Sequence, residues 1–89
     1  MTYRVLLSAE AQQFYATTDQ ATAKKIAKCL VQLEQNPWQH SNIKPLRGLL
    51  AGYYRYRVGD YRVVYLIEVP TRQVLVDTIA HRSEIYKRW

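Results

Sequence analysis

The strongest constraint on the fold is a two-residue turn, Gly59-Asp60, between two segments whose side chains alternate in polarity. Residues 53–58 and 61–69 are rich in tyrosine and valine, as half-buried strands are. A Gly-Asp pair between such segments is typical of a tight hairpin, and a loop of this length leaves a single cross-strand register. The sequence therefore predicts an antiparallel hairpin in which Arg57 faces Arg62.

This register assigns every side chain of the hairpin to one of two faces, because side chains alternate along a strand. The mainly apolar set is predicted to pack beneath helices and comprises Tyr54, Tyr56, Val58, Tyr61, Val63, Tyr65 and Ile67. The other set comprises Tyr53, Arg55, Arg57, Arg62, Val64 and Leu66. The hairpin is thus predicted to carry a core face and a second face that holds three arginines.

The three arginines on the second face, Arg55, Arg57 and Arg62, are a candidate phosphate site. Like charges at cross-strand positions destabilise a sheet, so their clustering calls for a compensating function. Arginine binds phosphate oxygens through two parallel hydrogen bonds and stays charged in almost any environment. Tyr53 could stack on a base of single-stranded nucleic acid. The alternative, that these arginines are solvated on the open face of a sheet, stays open at this point.

A strand and two helices are predicted before the hairpin. Residues 3–7 form a short β-prone run, and Ser8 has the residue type and position of a helix N-cap. A first helix is predicted over residues 9–16, and Thr18 or Asp19 can cap a second. In that second helix the apolar residues recur at three- and four-residue spacing, which is typical of an amphipathic helix.

Asn36-Pro37 ends the second helix, because proline disfavours helical geometry in the residue before it. Residues 38–52 are irregular and are interpreted as a connecting loop. A third meander strand is predicted over residues 73–80, and residues 83–89 are expected to make one last helical turn. This order predicts a single α+β domain over residues 1–89: an N-terminal strand, a two-helix hairpin and a three-stranded antiparallel meander, with helices on one face.

Charge and composition exclude several classes of function. The net charge of +6 favours a polyanionic partner, and nine of the thirteen Lys and Arg residues lie in residues 41–89. No apolar run approaches the ~20 residues needed to cross a bilayer, and the N-terminus lacks a signal-peptide pattern, so a cytoplasmic protein without membrane partners is expected. One cysteine, Cys29, and two histidines supply no zinc-ligand set, and neither a metal site nor a small-molecule cofactor is expected.

The segment after the last predicted strand holds two candidates for proton transfer, His81 and Tyr86. Histidine exchanges protons near neutral pH without assistance, and strand ends readily present catalytic side chains. Tyr86 could donate a proton or stack on a base. The structural alternatives, a hydrogen-bonding role for the histidine and ring packing for the tyrosine, stay open.

Four segments together resemble the RelE/ParE toxin superfamily: Pro45-Leu46-Arg47-Gly48, residues 54–65, His81-Arg82 and Ile85-Tyr86. The resemblance covers nearly the whole chain, and residues 59–65, Gly-Asp-Tyr-Arg-Val-Val-Tyr, are quite specific to it. It implies a compact fold of the microbial-ribonuclease type. It also implies the toxin of a type II toxin–antitoxin system, sequestered by a RelB-like antitoxin. The RelE branch cleaves mRNA in the ribosomal decoding site.

The resemblance further implies a metal-independent endoribonuclease in which the 2′-hydroxyl attacks the adjacent phosphate and cationic side chains stabilise the developing charge. It assigns catalytic roles to Arg55, Arg57, Arg62, His81 and Tyr86. Nucleic-acid-binding roles are expected for Lys44, Arg47, Tyr53 and Arg82. Lysines stand at positions 55 and 57 in the best-known members, and arginine is a poor general base, so proton transfer is assigned here to His81.

Two alternatives to the ribonuclease follow from the same observations. The ParE branch of the superfamily resembles this fold but inhibits DNA gyrase. A nucleic-acid-binding module without chemistry needs only the basic face. The combination of Arg55, Arg57, Arg62, His81 and Tyr86 favours the ribonuclease, with ribosome and mRNA as further partners.

Overall fold

A computed structural model describes residues 2–85, and it has the α+β architecture that the sequence predicts. The elements follow the order β1 (Arg4–Leu7), α1 (Ala9–Thr17), α2 (Gln20–Gln35), β2 (Ile43–Pro45), a 3-10 turn (Gly48–Leu50), β3 (Tyr54–Val58), β4 (Tyr61–Glu68), β5 (Gln73–His81) and α3 (Arg82–Ile85). Both helices, the opening strand and the meander lie within one or two residues of their predicted bounds. The predicted terminal turn begins as α3, and its residues 86–89 lie outside the described part of the chain.

Side-chain caps define the starts of the two long helices. The Ser8 hydroxyl accepts a hydrogen bond from the Ala11 N–H at 3.0 Å, and this satisfies one of the free amides of α1. Of the two possible caps for α2, the structure uses Asp19, whose carboxylate accepts from the Thr22 N–H at 2.9 Å. The hydrogen bond from the Thr22 hydroxyl, and after it the one from the Thr22 N–H, lowers the pKa of Asp19.

The strands form a five-stranded sheet in the order β1-β5-β4-β3-β2, within residues 2–85. The hairpin of β3 and β4 has the predicted register, with Arg57 opposite Arg62 and Val58 opposite Tyr61. Strand β1 pairs in parallel with β5. The helices carry the chain from β1 to β2 at the opposite edge of the sheet, and the antiparallel strands β2 to β5 bring it back beside β1. The turn is tight because Gly59 adopts a positive φ of 57° at no steric cost.

Strand β2 is the one element of the sheet that the sequence pattern missed. Its three residues fall inside the stretch interpreted as a loop, and the interpretation was wrong there. The strand is short and ends at Pro45, so it shows no alternation that a sequence pattern can detect. Its pairing with β3, in which Lys44 lies opposite Arg55, depends on tertiary placement.

The core lies between the helices and one face of the sheet, as the register predicts. Ile26 and Leu33 of α2 are fully buried against strand residues that include Val63 and Tyr65. The Tyr65 hydroxyl donates to the Pro37 carbonyl at 2.8 Å, so the segment after α2 is held to the centre of the sheet. The short helix α3 packs on β4 and β5.

Candidate nucleic-acid interface

The face of the sheet opposite α1 and α2, called the open face below, carries five cations within the described strands: four on β2, β3 and β4, and Arg4 on the edge strand β1. We call Lys44, Arg55, Arg57 and Arg62 the basic cluster. Cross-strand partners share a face, and the cluster contains two like-charged pairs: Lys44 with Arg55 and Arg57 with Arg62. Two such pairs on neighbouring strands oppose folding and concentrate positive charge on the face opposite α1 and α2.

The Arg57–Arg62 pair is the closer kind of cross-strand pair. The Arg57 N–H donates to the Asn42 carbonyl at 3.0 Å, and therefore points away from β4. Residues opposite each other without ladder hydrogen bonds have Cα atoms only about 4.5 Å apart. Their side chains consequently leave the sheet in close proximity.

Two of the guanidinium groups are held by backbone carbonyls. Arg55 Nη1 donates to the Asn42 carbonyl at 2.8 Å, and Arg62 Nη1 donates to the Gly59 and Tyr61 carbonyls at 3.0 Å each. Each contact occupies one terminal nitrogen, so each fork keeps further N–H donors for an anion. The three arginines thus share one face as predicted, but each is oriented by different surroundings, and Arg57 is the exposed member.

The nearest acid in the sequence, Asp60, is directed toward Arg82 instead of the basic cluster. The Asp60 carbonyl accepts from the Arg82 N–H at 2.7 Å, and the Asp60 carboxylate lies 3.9 Å from Arg82 Nε. Both side chains are mostly exposed, so the ion pair is weak. The backbone hydrogen bond and the ion pair together hold Arg82 at the turn end of the hairpin.

His81 lies on the helix side of the sheet, away from the basic cluster. It pairs with Tyr61, and the two rings meet edge to face at 5.5 Å, while Tyr61 packs against Phe14 of α1 at 5.6 Å. The Ser83 N–H donates to His81 Nδ1 at 3.1 Å, so the neutral ring carries its proton on Nε2. Its predicted partner Tyr86 lies outside the described residues.

A bulge in β5 explains the position of His81. Tyr65 pairs with Val76 and Val64 pairs with Thr78, so Asp77 is an extra residue without a partner on β4. A one-residue insertion exchanges the two faces for every residue that follows it. Simple alternation from Val76 would have placed His81 on the open face.

Arg47 and Tyr53 lie at the opposite end of β3 from the Gly59 turn. Both belong to the connection between β2 and β3, where the Tyr53 carbonyl accepts from the Leu46 N–H at 2.9 Å. Arg47 is exposed and precedes the 3-10 turn, and Tyr53 is half-buried. The five residues of β3 separate these groups from the turn by roughly 17 Å of extended chain.

The open face also carries an apolar groove beyond the basic cluster. A groove of about 270 Å³ is lined on this face by Leu6, Leu66 and Leu75, each half-buried. The sequence pattern did not single out this groove, because Leu6 and Leu75 become neighbours only through the parallel pairing of β1 with β5. The open face therefore carries the basic cluster on β2, β3 and β4 and an apolar groove on β1, β4 and β5.

Neither a metal cluster nor a membrane-spanning helix is found in the described part of the chain. Between residues 2 and 85, no three His, Cys, Asp or Glu side chains lie close enough together to hold a metal ion. No helix in that range combines the length and the apolar character needed to cross a membrane.

Comparison with known proteins identifies the family. The family model described as "ParE toxin of type II toxin-antitoxin system, parDE" matches residues 5–86. Toxin RelE of Mycobacterium tuberculosis is 39% identical over 90 residues, which cover 96% of this chain and 87% of that protein. Toxin RelG of the same organism is 42% identical over 45 residues, so the match spans 51% of this chain and about half, 52%, of that relative.

A solved structure agrees with the sequence relatives. A chain of the RelBE2 toxin–antitoxin complex of Mycobacterium tuberculosis superimposes with a TM-score of 0.81 and 25% identity, covering 92% of this chain and 100% of that chain. The fold and nearly the full length are thus shared with a toxin of this superfamily, as the sequence motifs predict. The chain belongs to the ParE toxin family of type II toxin–antitoxin systems, within the RelE/ParE superfamily.

Proposed function

We propose that the protein is an endoribonuclease that cleaves mRNA on the ribosome and thereby inhibits translation. The observation that carries this proposal is the basic cluster: two like-charged cross-strand pairs on the face of the sheet opposite α1 and α2. This arrangement costs stability and is offset when a phosphodiester lies among the cations. The names of the relatives, toxin RelE and toxin RelG, support the same branch.

The proposed reaction is an internal transesterification. The ribose 2′-oxygen forms a bond to the adjacent phosphorus and the bond from phosphorus to the 5′-oxygen breaks, while a proton leaves the 2′-hydroxyl and another reaches the 5′-oxygen. Arg55, Arg57 and Arg62 would bind the phosphate oxygens and stabilise the additional negative charge of the transition state. Their permanent charge suits this role and excludes them as bases at neutral pH.

Proton transfer is assigned to His81 and Tyr86, and these roles stay predictions. His81 is at the end of β5 on the helix side, so it would meet a phosphate held by Arg57 and Arg62 only around the end of the sheet. Cleavage that persists in a His81→Gln variant would contradict the histidine assignment and leave Tyr86 or a ribosomal group. Tyr53, Lys44, Arg47 and Arg82 are proposed to hold the flanking RNA.

The proposal implies partners and a compartment. We propose a RelB-like antitoxin as the partner that neutralises the protein, since the similar structure is a toxin–antitoxin complex. The ribosome and mRNA are the targets, and their location places the activity in the cytoplasm. The chemistry described needs neither a metal ion nor a small-molecule cofactor.

The test is translation of a reporter mRNA in a purified system, followed by mapping of the mRNA ends by primer extension. We expect breaks at fixed positions within codons, reduced about 100- to 1000-fold by Arg62→Ala, as for loss of one transition-state hydrogen-bond donor. Arg4→Ala is the matched control, because Arg4 is an exposed strand arginine at the far edge of the sheet and lies opposite the neutral Gln73. Thermal unfolding of both variants shows whether the fold is intact.

Inhibition of DNA gyrase is the second candidate, because the matching family model is described by the ParE toxin. Intact mRNA in the translation assay, together with trapped gyrase–DNA complexes, would replace the ribonuclease with this function. RNA binding without either effect would leave a non-catalytic nucleic-acid-binding module.

A further inference from the structure

A second basic site lies around the edge of the sheet, between α2 and the end of β3. It is a groove of about 380 Å³, within the size range of small-molecule and cofactor sites. Its walls are formed by Lys25, Lys28, Cys29 and Gln32 on one side and by Asn42, Tyr56, Arg57, Val58 and Gly59 on the other. We call it the α2–β3 groove.

The groove exists because β2 is shorter than β3. The register of β2 starts with Ile43 opposite Tyr56, and the bond from the Arg57 N–H to the Asn42 carbonyl is the last one toward the turn, so β3 continues beyond its neighbour from Val58. The Asn42 N–H is directed to His40 Nδ1, at 3.1 Å, and does not extend the ladder toward the turn. The edge of β3 therefore faces α2 across open space.

The wall of the groove that α2 forms presents polar side chains along one stripe of the helix. Lys25, Lys28 and Gln32 recur at three- and four-residue spacing and lie along one stripe of α2. Three of the lining residues, Lys25, Lys28 and Arg57, have cationic side chains, and none has a carboxylate. Within residues 2–85 none of the three cations forms an ion pair. Lysines three residues apart on a helix repel each other, so this stripe is unfavourable for folding alone.

Charge and polarity favour RNA over a peptide as the occupant. The apolar and aromatic residues of the lining, Cys29, Tyr56 and Val58, are almost completely buried. Three of the exposed lining residues, Lys25, Lys28 and Arg57, are cationic. A protein partner would be expected to place aromatic or aliphatic anchors at the centre of its interface. An RNA backbone needs only closely spaced cations.

Arg57 connects the groove with the basic cluster. It stands opposite Arg62 on the open face and also lines the groove. An RNA strand that crosses β3 at this residue would pass from the basic cluster to the groove without a neutral gap. We propose that the α2–β3 groove is a second phosphate-binding subsite, which holds the same RNA strand on one side of the cleavage position. This inference rests on the proposed function and extends it to a longer RNA footprint.

The test compares RNA oligonucleotides of two lengths on the whole protein. The probes are 5′-labelled 2′-O-methyl oligoribonucleotides of about 4 and about 12 nucleotides, which span the usual range of single-strand site sizes. The 2′-O-methyl group blocks attack by the 2′-oxygen, so binding is measured without cleavage, by fluorescence anisotropy at several salt concentrations.

We expect the longer probe to bind more tightly, and the double variant Lys25→Ala/Lys28→Ala to lose this advantage. Loss of two single-strand phosphate contacts should reduce the slope of log K against log salt by about 1.4, and the affinity by about tenfold at ~0.15 M salt. Binding of the shorter probe should stay within about twofold. Lys24→Ala is the matched control, because Lys24 is exposed in the same turn of α2 and does not line the groove.

Several outcomes would overturn the inference. One is equal binding of both probes by the unsubstituted protein, or no binding at low salt. Another is a length dependence that survives in the double variant. If the double variant binds RNA normally but loses affinity for the antitoxin, the groove is a binding site for the antitoxin and not for RNA. The translation assay tests the proposed function separately. If codon-positioned cleavage is observed together with any of these results, the ribonuclease function stands and the RNA subsite in the α2–β3 groove is rejected.

Discussion

Replacing Arg57 with glutamate is expected to change stability and activity in opposite directions. In the folded protein Arg57 lies opposite Arg62 in a close, non-hydrogen-bonded pair. The substitution removes a like-charge contact and creates an opposite-charge one. Each change contributes roughly 0.2–1 kcal/mol in a sheet. Because Arg57 is exposed, we take the lower part of the combined range, about 0.5–1 kcal/mol of added stability.

The assay is thermal unfolding followed by circular dichroism. For a domain of this size about 0.5–1 kcal/mol corresponds to an increase in Tm of roughly 2–8 °C. The increase should disappear in ~1 M salt, where the Debye length falls to about 3 Å. In the reporter assay the same variant should lose about 100-fold or more of the cleavage, because a phosphate contact becomes a repulsion.

Two control variants separate the local pair from general charge effects. Arg57→Gln removes the repulsion without creating an ion pair and should give about half of the stabilisation. Arg4→Glu makes the same change in net charge at an exposed strand position opposite Gln73, and it should not stabilise. An unchanged or lower Tm for Arg57→Glu at low salt, or an equal gain in Arg4→Glu, would refute the reasoning that the basic cluster opposes folding.

Three further predictions concern the core and the turn. Tyr65→Phe should lower the unfolding free energy by about 1–3 kcal/mol in denaturant titrations, because the Pro37 carbonyl loses its hydrogen-bond donor. A loss below about 0.5 kcal/mol would contradict this prediction. Gly59→Ala should cost about 1–2 kcal/mol by the same measurement, since alanine is strained at a φ of 57°, whereas Asp60→Ala should cost less. Burial raises the pKa of Cys29 from 9.0 to about 12, so the folded state holds this proton more tightly than the unfolded state. The stability that the protonated thiol contributes is fully present below pH 9 and is lost as the pH rises toward about 12. Cys29→Ala should therefore make the decline of the unfolding free energy at alkaline pH shallower, by up to about 1.4 kcal/mol per pH unit. An unchanged decline in this variant would contradict the prediction.

Local signals predicted the helices and the hairpin well because each has a short-range physical cause. Ser8 and Asp19 offer side-chain acceptors where α1 and α2 begin, and the Gly59-Asp60 turn restricts the register of β3 and β4. The core face of the hairpin followed from that register by alternation. Family membership followed from the same hairpin, since its motif is the most specific part of the resemblance.

The geometry of the candidate site was predicted only within the hairpin, although site residues were also named outside it. Arg55, Arg57 and Arg62 share the open face as expected. The place of Lys44 opposite Arg55 needed the pairing of β2, whose three residues are too few to show a pattern. The position of His81 depended on one extra residue, Asp77, which no rule of alternation anticipates.

By itself, the sequence determined the features that depend on residues close together in the chain. These are the helix caps, the amphipathic stripe of α2, the two-residue turn and the arginine pair across it. The tertiary structure alone decided which distant segments meet. It placed β2 beside the first three residues of β3, brought Leu6 next to Leu75 and set Lys25 and Lys28 across from the end of β3. The physical reason is that spacing and turn chemistry act within a few residues, whereas these contacts arise from the burial of a shared core by the whole chain.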